Sequence, residues 1–382
     1  MWRAGVAGKD WDAVVIGAGV AGCVVAHALA GRGFAVLLAE REHVPRFKVC
    51  GGCLSEAALS SLRAAGLGQL TCLAAAPRLE RLELAVGGRL WDLPLPGGVA
   101  VRRSHLDGEL AAAAVAEGVH LVEGVRAELG PVIGNRREVR LSGGGGRRSV
   151  MASLVIAASG LGGGSLGSEA ALRPRVARGS RLGAGAVLED QDATPGTGII
   201  RMTCGRGGYV GQVAVEGGGL VVAAALDPYL VRTGGGVGGA VTRILAASGR
   251  PLPRGLANTT WKATPRLTRA VGRAAAERVM LVGDAAGYAE PFTGEGMTWA
   301  IESALIAAPR AAEAMTRWGP AIAAGWTAEH RRRFAARHRR CRRVARIVRH
   351  PWAATAVLSV TDLIPQVTEA LVRRLARAEI GS

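Results

Sequence analysis

Three glycines near the start of the chain have the spacing that a phosphate-binding loop requires. They occur in Gly17-Ala18-Gly19-Val20-Ala21-Gly22, which matches G-x-G-x-x-G. The apolar run 11–16 before them predicts a buried strand, and 20–30 after them predicts a helix. The first glycine permits a tight turn, the second lets the backbone approach a pyrophosphate, and the third lets helix pack on strand. The motif predicts a βαβ unit whose helix N-terminus binds the ADP part of a dinucleotide.

An acidic residue follows the second predicted strand, 34–38. Glu40 lies where a carboxylate can accept hydrogen bonds from a ribose hydroxyl, which argues against a 2′-phosphate on that ribose. We assign Glu40 and the adjoining Arg41 to the same cofactor site as Gly17, Gly19, Val20, Ala21 and Gly22.

A second strand-and-turn motif lies more than 200 residues later. The apolar run 279–282 ends in Gly283-Asp284, and Pro291-Phe292-Thr293-Gly294-Glu295-Gly296-Met297 follows before a predicted helix. This pattern resembles the second FAD motif of the aromatic-ring hydroxylase and geranylgeranyl reductase superfamily. The resemblance implies that Asp284 binds the ribityl chain and that the turn directs helix N-terminal amides at the flavin pyrimidine edge. A positive dipole there stabilises anionic reduced flavin. The site residues it implies here are Gly283, Asp284, Pro291, Gly294, Glu295, Gly296 and Met297.

Two further segments extend the resemblance. Arg103 begins R-x-x-L-D-x-x-L, whose arginine lies near the cofactor in that superfamily; a solvated arginine before a helix is the alternative. The segment 45–52, Pro-Arg-Phe-Lys-Val-Cys-Gly-Gly, is similar to a stretch of geranylgeranyl reductases that passes over the flavin face. It places Cys50 and Gly51 at the cofactor, with Cys50 as a candidate catalytic residue.

Cys50 and Cys53 also form a C-x-x-C pair, which has two other readings. A structural zinc site needs two more ligands at suitable spacing, and the sequence offers no second cysteine pair, so we expect no metal. A redox-active dithiol would favour a helix start, whereas this stretch follows a loop and is flanked by glycine. Cys53 as a packing residue is the simpler alternative.

The region 169–263 predicts an inserted antiparallel sheet that carries the substrate pocket. Runs such as 182–188, 208–215 and 220–226 are separated by Gly, Asp or Pro. Tyr209 and Gln212 are candidates for a mostly apolar pocket over the flavin, and Tyr209 is the second candidate catalytic residue; a core or surface role is the alternative for both.

The composition is that of a folded α/β protein. Of 382 residues, 49% are hydrophobic and 20% are charged, so disorder is excluded as a description of the whole chain. We predict a Rossmann-type, glutathione-reductase-like FAD-binding domain (10–75, 99–168, 264–315), a β-sheet substrate domain (76–98, 169–263) and a helical segment (316–382). Sparse cysteines favour a reducing cytoplasm, and no segment is convincing as a membrane span.

Much of the net charge of +18 is concentrated late in the chain. The stretch 331–350 holds ten arginines and no acid. A solvated helix face is one interpretation, and a cationic helix on an anionic membrane surface or an acidic protein, through Arg331 to Arg349, is the other. We expect no nucleic-acid partner, because no recognition module accompanies the charge.

The resemblance implies an FAD-dependent oxidoreductase acting on a hydrophobic small molecule. Hydroxylation of a phenolic, polyketide-like or lipid substrate is the first hypothesis, and reduction of isoprenoid double bonds is the alternative. A flavoprotein that acts on a protein partner, or is not catalytic, is a third. Ser159 stands where the hydroxylases have the aspartate that contributes to NADPH handling, so either NAD(P)H binds only transiently or the electrons arrive from another protein. The W-x-W-x-I-P signature of flavin halogenases is absent from the sequence, which lowers the halogenase option.

Overall fold

The apolar runs of the sequence form the strands of two large sheets. The computed structural model describes residues 9–167, 169–189, 196–292, 294–350, 352 and 354–356. The strands are β1 (Asp10–Ile16), β2 (Val36–Ala39), β3 (Cys53–Leu54), β4 (Arg81–Val86), β5 (Arg89–Pro94), β6 (Val99–Ala100), β7 (His120–Val122), β8 (Val125–Ile133), β9 (Arg136–Gly143), β10 (Gly146–Ala157), β11 (Arg175–Val176), β12 (Leu182–Leu188), β13 (Ile199–Gly205), β14 (Gly208–Ala214), β15 (Leu220–Leu226), β16 (Lys262–Arg266), β17 (Arg269–Ala270), β18 (Ala275–Ala276), β19 (Val279–Leu281) and β20 (Gly287–Tyr288). The helices are α1 (Val20–Ala30), α2 (Glu56–Ala64), α3 (Thr71–Ala75), α4 (Arg103–Ala116), α5 (Pro228–Thr233), α6 (Gly236–Ala246), α7 (Gly296–Thr316) and α8 (Pro320–Val348).

The first sheet is a parallel layer with helices on one face. Strands β19, β10, β1, β2 and β7 pair in that order, all parallel. Alternate residues of these strands, such as Val15 and Leu38, pack with α1, α4 and α7. The others, such as Val14 and Leu37, pack against β8 and β9, which pair antiparallel with the long strand β10. Both faces are therefore buried, as an all-parallel sheet requires.

The second sheet is mixed and has two different faces. Its order is β16-β12-β15-β14-β13-β4-β5, antiparallel except for the parallel pair β13 and β4. One face packs against α5 and α6 through residues such as Val210 and Val222. The other presents Met202, Tyr209 and Val213 towards the first sheet's helices and loops. This inner face forms the wall of the cavity described below.

Helix α8 crosses behind the second motif. It begins at Pro320, whose missing N–H suits the first helical turn. Trp326 is fully buried and donates its indole N–H to the Leu281 carbonyl at 3.0 Å, which anchors α8 to β19. Within the described chain, no helix is long and apolar enough to cross a membrane.

The prediction of a mixed α/β fold with a Rossmann-like domain and a helical C-terminal segment is confirmed. The predicted bounds of α1, β12 and β15 agree with the structure. Two details differ: the β8–β9 hairpin was not predicted, and the second sheet includes a parallel pair. The domain boundaries stay a prediction, and residues 357–382 lie outside the described part.

Candidate functional site

The glycine loop between β1 and α1 is built as the sequence predicted. Gly17 has φ +104°, which favours glycine, and a Cβ added to Gly22 would lie 1.8 Å from the Gly17 carbonyl oxygen. Gly19 is the N-cap of α1, and no side chain caps this helix. The first amides of α1, at Val20 and Ala21, are therefore available to an anion on the open side of the loop.

A cluster of cations faces this helix N-terminus. The ammonium of Lys48 lies 2.9 Å from where a Cβ on Gly19 would be, and Arg103 Nη2 lies 4.0 Å from the same point. Burial, and then the positive charge of Arg103, lower the pKa of Lys48. Arg103 is held by Asp107 and contacts Cys50; these groups raise its pKa although burial opposes them. The loop thus adjoins two cations that an incoming polyanion would stabilise.

Glu40 organises the same loop. Its carboxylate accepts hydrogen bonds from the amides of Ala18 at 2.8 Å and Glu42 at 3.1 Å, and forms an ion pair with Arg46 at 2.9 Å. Arg46 also pairs with Asp107, so Glu40 is joined to α4. A carboxylate has four lone-pair sites, which leaves capacity for a ribose hydroxyl.

The second motif lies against the first. Gly283 has φ +58°, and an added Cβ would lie 2.9 Å from the Ala21 Cβ of α1. Asp284 follows in a half-buried position, where loss of solvent raises the pKa of its carboxyl; Lys48, Arg103 and Arg269 act in the opposite direction. Helix α7 begins at Gly296, again without a side-chain cap. Two uncapped helix N-termini therefore open on one region.

Residues of both motifs and of the second sheet line one cavity. Its empty volume, which includes the open mouth, is about 1510 Å³. The first wall contains residues of both motifs and of the Cys50 segment: Gly19, Val20, Ala21, Cys50, Gly51, Arg103, Asp284, Pro291, Gly294, Gly296 and Met297. The other wall is apolar and is lined by the second sheet, through Leu82, Ile200, Met202 and Tyr209, together with Leu95 and Phe292 from adjoining loops.

Comparison with known proteins agrees with this geometry. Residues 15–60 match the model of the NAD(P)-binding Rossmann-like domain. The flavin-dependent brominase Bmp2 superposes with a TM-score of 0.79 at 16% identity, covering 96% of this chain and 94% of its own. A geranylgeranyl bacteriochlorophyll reductase-like protein from Thermoplasma acidophilum gives 0.74 at 19% identity, covering 90% and 88%. P. aeruginosa PqsL, solved with 2-aminobenzoylacetate, gives 0.71 at 18% identity, covering 92% and 100%. No curated protein sequence matches the chain.

The chain has the fold of the flavin-dependent oxidoreductases. The predicted superfamily resemblance is thereby confirmed at the level of the fold. Halogenases are among the proteins that share it, although the sequence lacks their tryptophan signature.

The residues of this flavin fold fit FAD. The cradle at Gly19 would be filled by any larger side chain, no side chain among the described residues caps either helix N-terminus, and residues at both N-termini line the cavity.

Two of the predicted cofactor residues are placed differently from their neighbours. The Glu295 side chain is buried and pairs with Arg340 at 2.9 Å, while the Cys341 thiol lies 3.3 Å from its other oxygen. It faces α8, and only its backbone belongs to the turn. Arg41 is exposed, contacts Glu42 at 3.3 Å and does not line the cavity.

The cysteine pair lies at the cavity without metal ligands around it. Cys50 accepts a hydrogen bond from the Gly52 amide at 3.5 Å, and Cys53 donates to the Gly51 carbonyl at 3.3 Å. Burial raises the pKa of the Cys53 thiol to about 12, which disfavours its thiolate. In the described chain all six cysteines are free, and no cluster of metal-ligating side chains occurs.

Tyr209 defines the apolar end of the cavity. Its ring packs edge-on against Phe292, with centroids 5.0 Å apart, and the Arg181 guanidinium lies 5.7 Å away. Burial, and then Glu290, raise the pKa of the Tyr209 hydroxyl, which stays protonated and has no hydrogen-bond partner among the described residues. Gln212 also borders the cavity, but strand alternation puts its side chain on the opposite face with Val210.

Sequence reasoning missed Lys48 and Tyr288 as site residues. The sequence analysis assigned Lys48 no role of its own within the Cys50 segment. Lysine is nevertheless rare in this chain, and Lys48 lies in the sequence between the glycine motif and Arg103. The Tyr288 hydroxyl lies 3.0 Å from where a Cβ on Gly296 would be, at the start of α7. No local sequence signal marks Tyr288, because its position depends on the β20 pairing with β17.

Proposed function

We propose that this protein is an FAD-dependent monooxygenase that hydroxylates an apolar, phenolic or lipid-like small molecule. The observation that supports it best is the cavity lined both by residues at two uncapped helix N-termini and by the apolar face of the second sheet. The FAD-binding part would be of the glutathione-reductase type. NAD(P)H is proposed as a transient electron donor.

The residues of the first wall would bind and orient the cofactor. The amides of Val20 and Ala21 bind pyrophosphate, Lys48 and Arg103 neutralise its charge, and Asp284 accepts from ribityl hydroxyls. The amides at Gly296 and Met297 stabilise negative charge at the pyrimidine edge. Bound FAD supplies two-electron transfer and oxygen activation, which the side chains of the chain alone lack.

The second sheet would bind the substrate and exclude water. The small residues Gly211 and Ala223 lie in register on β14 and β15 and line the cavity. Met202 and Ile200 line it from the next strand, where the Met202 sulfur would lie 2.8 Å from a Cβ added to Gly211. The protonated Tyr209 hydroxyl can hydrogen-bond one polar group of an otherwise apolar substrate.

The test uses the purified protein with FAD bound. It is reduced anaerobically with NADH or NADPH, mixed with a panel of phenols and lipids, and exposed to ¹⁸O₂. The proposal expects a product that carries one ¹⁸O atom. Product without ¹⁸O, or oxidation of NAD(P)H without any product across the panel, would contradict it.

Double-bond reduction is the second candidate. The Cys50 thiol lies on the cavity wall beside Arg103, where it could deliver a proton to a reduced substrate, and its segment is similar to that of geranylgeranyl reductases. Anaerobic incubation of reduced protein with a geranylgeranyl lipid separates the two functions. Saturated product that forms without oxygen, and is lost in Cys50→Ser while bound FAD is retained, would favour the reductase.

A further inference from the structure

Helix α8 divides its arginines between two faces. Five of the ten arginines in 331–350 form ion pairs within the molecule. Arg332 and Arg333 pair with Glu329 of the same helix, whereas Arg337 pairs with Glu302, Arg340 with Glu295 and Arg349 with Glu290. Glu290 and Glu295 bracket the turn of the second motif. Arg340 and Arg349 therefore hold this turn, and fewer arginines remain for the cationic surface predicted from the sequence.

Three of the remaining arginines form a cationic outer face on this helix. Arg339, Arg343 and Arg346 follow at i, i+4 and i+7, so they project from one side of the helix, and all three are exposed. Among the described residues none of them has an ion-pair or hydrogen-bond partner. We call Arg339, Arg343, Arg346 and the neighbouring Ile347 the outer face of α8.

Exposed apolar groups adjoin this charge. Ile347 is 38% exposed, and Trp352, just beyond the helix, is 75% exposed. An indole beside arginines is the combination found where a helix lies in the headgroup region of a membrane, since the ring is apolar with one polar N–H. A face that is only solvated would not require the exposed tryptophan.

The same end of α8 reaches the apolar end of the cavity. Val348 and Ala354 are buried in one hydrophobic cluster with Tyr209 and Met202, which line the cavity, and Phe292 packs against that cluster. Val344 also contacts it from the helix. The outer face and the inner side of this helix end are thus separated by one helix diameter.

We propose that the outer face of α8, with Trp352, docks on an anionic lipid bilayer and holds the apolar end of the cavity beside the membrane. The arginines supply electrostatic attraction to acidic headgroups, and Ile347 and Trp352 enter the interface. The functional meaning of a cavity held beside the membrane depends on the proposed function, because it assumes an apolar substrate. The docking of α8 on the membrane does not depend on that function.

The test is sedimentation of the full chain with lipid vesicles. Vesicles of phosphatidylcholine alone are compared with vesicles that contain phosphatidylglycerol, at low and high salt. We expect binding only to the anionic vesicles, lost at high salt because exposed charges are screened. Each arginine neutralised should lower the partition coefficient about fivefold, so Arg339→Gln with Arg343→Gln lowers it about 30-fold.

A matched control removes the same charge elsewhere. Arg147 and Arg148 are exposed on the β9–β10 hairpin, and Arg147→Gln with Arg148→Gln should bind vesicles as the unmodified chain does. Trp352→Ala should weaken vesicle binding without changing its salt dependence. Bound FAD absorbance, recorded for each variant, shows that the fold and cofactor site are intact.

Three outcomes would overturn the proposal. Equal binding to neutral and anionic vesicles would show that headgroup charge is not recognised. Equal losses in the two double variants would show that only net charge matters. Absence of vesicle binding together with salt-sensitive binding of single-stranded RNA would identify nucleic acid as the partner. Each result stands whether or not the oxidoreductase assays succeed, so failure here is distinguishable from failure of the proposed function.

Discussion

We expect the ionised Asp284 carboxylate to lower the stability of the folded protein and to strengthen the binding of FAD. Burial raises the pKa of its carboxyl, so ionisation in the folded state costs free energy that grows as pH rises above the ordinary pKa of aspartate. We expect Asp284→Asn to raise the Tm of the FAD-free protein at pH 8 and to raise it less at pH 5. Thermal unfolding at both pH values measures this.

The same variant should bind FAD less tightly, because an amide accepts ribityl hydrogen bonds more weakly than a carboxylate. Titration with FAD followed by flavin fluorescence gives the ratio of Kd values, and we expect a rise of about tenfold. An Asn variant that is less stable and binds FAD equally well would contradict the role assigned to Asp284.

Gly22 tests the glycine loop on steric grounds alone. An added Cβ would lie 1.8 Å from the Gly17 carbonyl oxygen, so strand and helix must move apart. We expect Gly22→Ala to lower the free energy of unfolding by about 2–4 kcal/mol and to abolish FAD binding. Urea unfolding measures the first effect.

Gly144 provides the matched control for Gly22. Its added Cβ would meet nothing within 4 Å, and its φ is not in the left-handed region. Gly144→Ala should change the free energy of unfolding by less than about 0.5 kcal/mol. Equal losses in the two variants would show that the β1–α1 contact is not the cause.

At the scale of elements, α8 carries one buried histidine, His330, and one half-buried histidine, His338. His330 and His338 lie in a row of aromatic rings with Trp326, Phe334 and Trp299. Burial lowers the pKa of His330 to about 4 and that of His338 to about 3. Both stay neutral in the fold, so their contribution is present above about pH 6.5 and is lost as pH falls below it.

We therefore expect His338→Phe to flatten the loss of stability between pH 7.5 and pH 5.5. Each of the two histidines accounts for about 1.4 kcal/mol of that loss at pH 5.5, because the unfolded chain binds a proton that the folded chain excludes. Urea unfolding across this range checks the slope. An unchanged slope in His338→Phe would show that the ring is protonated in the folded protein.

The elements that the sequence predicted well are those with a local signal. Helix α1 is apolar without Pro or charge and follows a glycine loop, and β12 and β15 are short apolar runs between turn residues. The β8–β9 hairpin was missed because glycine and arginine interrupt the alternation of apolar and polar residues in its strands. Its place in the sheet is fixed by the pairing of β9 with β10, which no local pattern indicates. The parallel pair β4 and β13 joins strands more than 100 residues apart, which no local pattern indicates.

For the whole molecule, the two motifs were predictable and their surroundings were not. Asp284 and the glycines of the first motif have a spacing that is visible in the sequence itself. The pairing of Glu295 with Arg340, and that of Glu290 with Arg181 and Arg349, is decided by how α8 packs on distant segments. The sequence therefore predicted that this helix is rich in arginine. Only the structure shows which of these arginines pair inside the molecule and which lie on the outer face of α8.

The central claim is that the N-termini of α1 and α7 bind opposite halves of one FAD molecule. The most direct measurement is the absorption spectrum of the purified chain, followed by denaturation and quantification of the released cofactor. We expect a flavin absorption band at ~450 nm and one FAD released per chain. A chain that shows no flavin band, and that gains none after incubation with excess FAD, would contradict it.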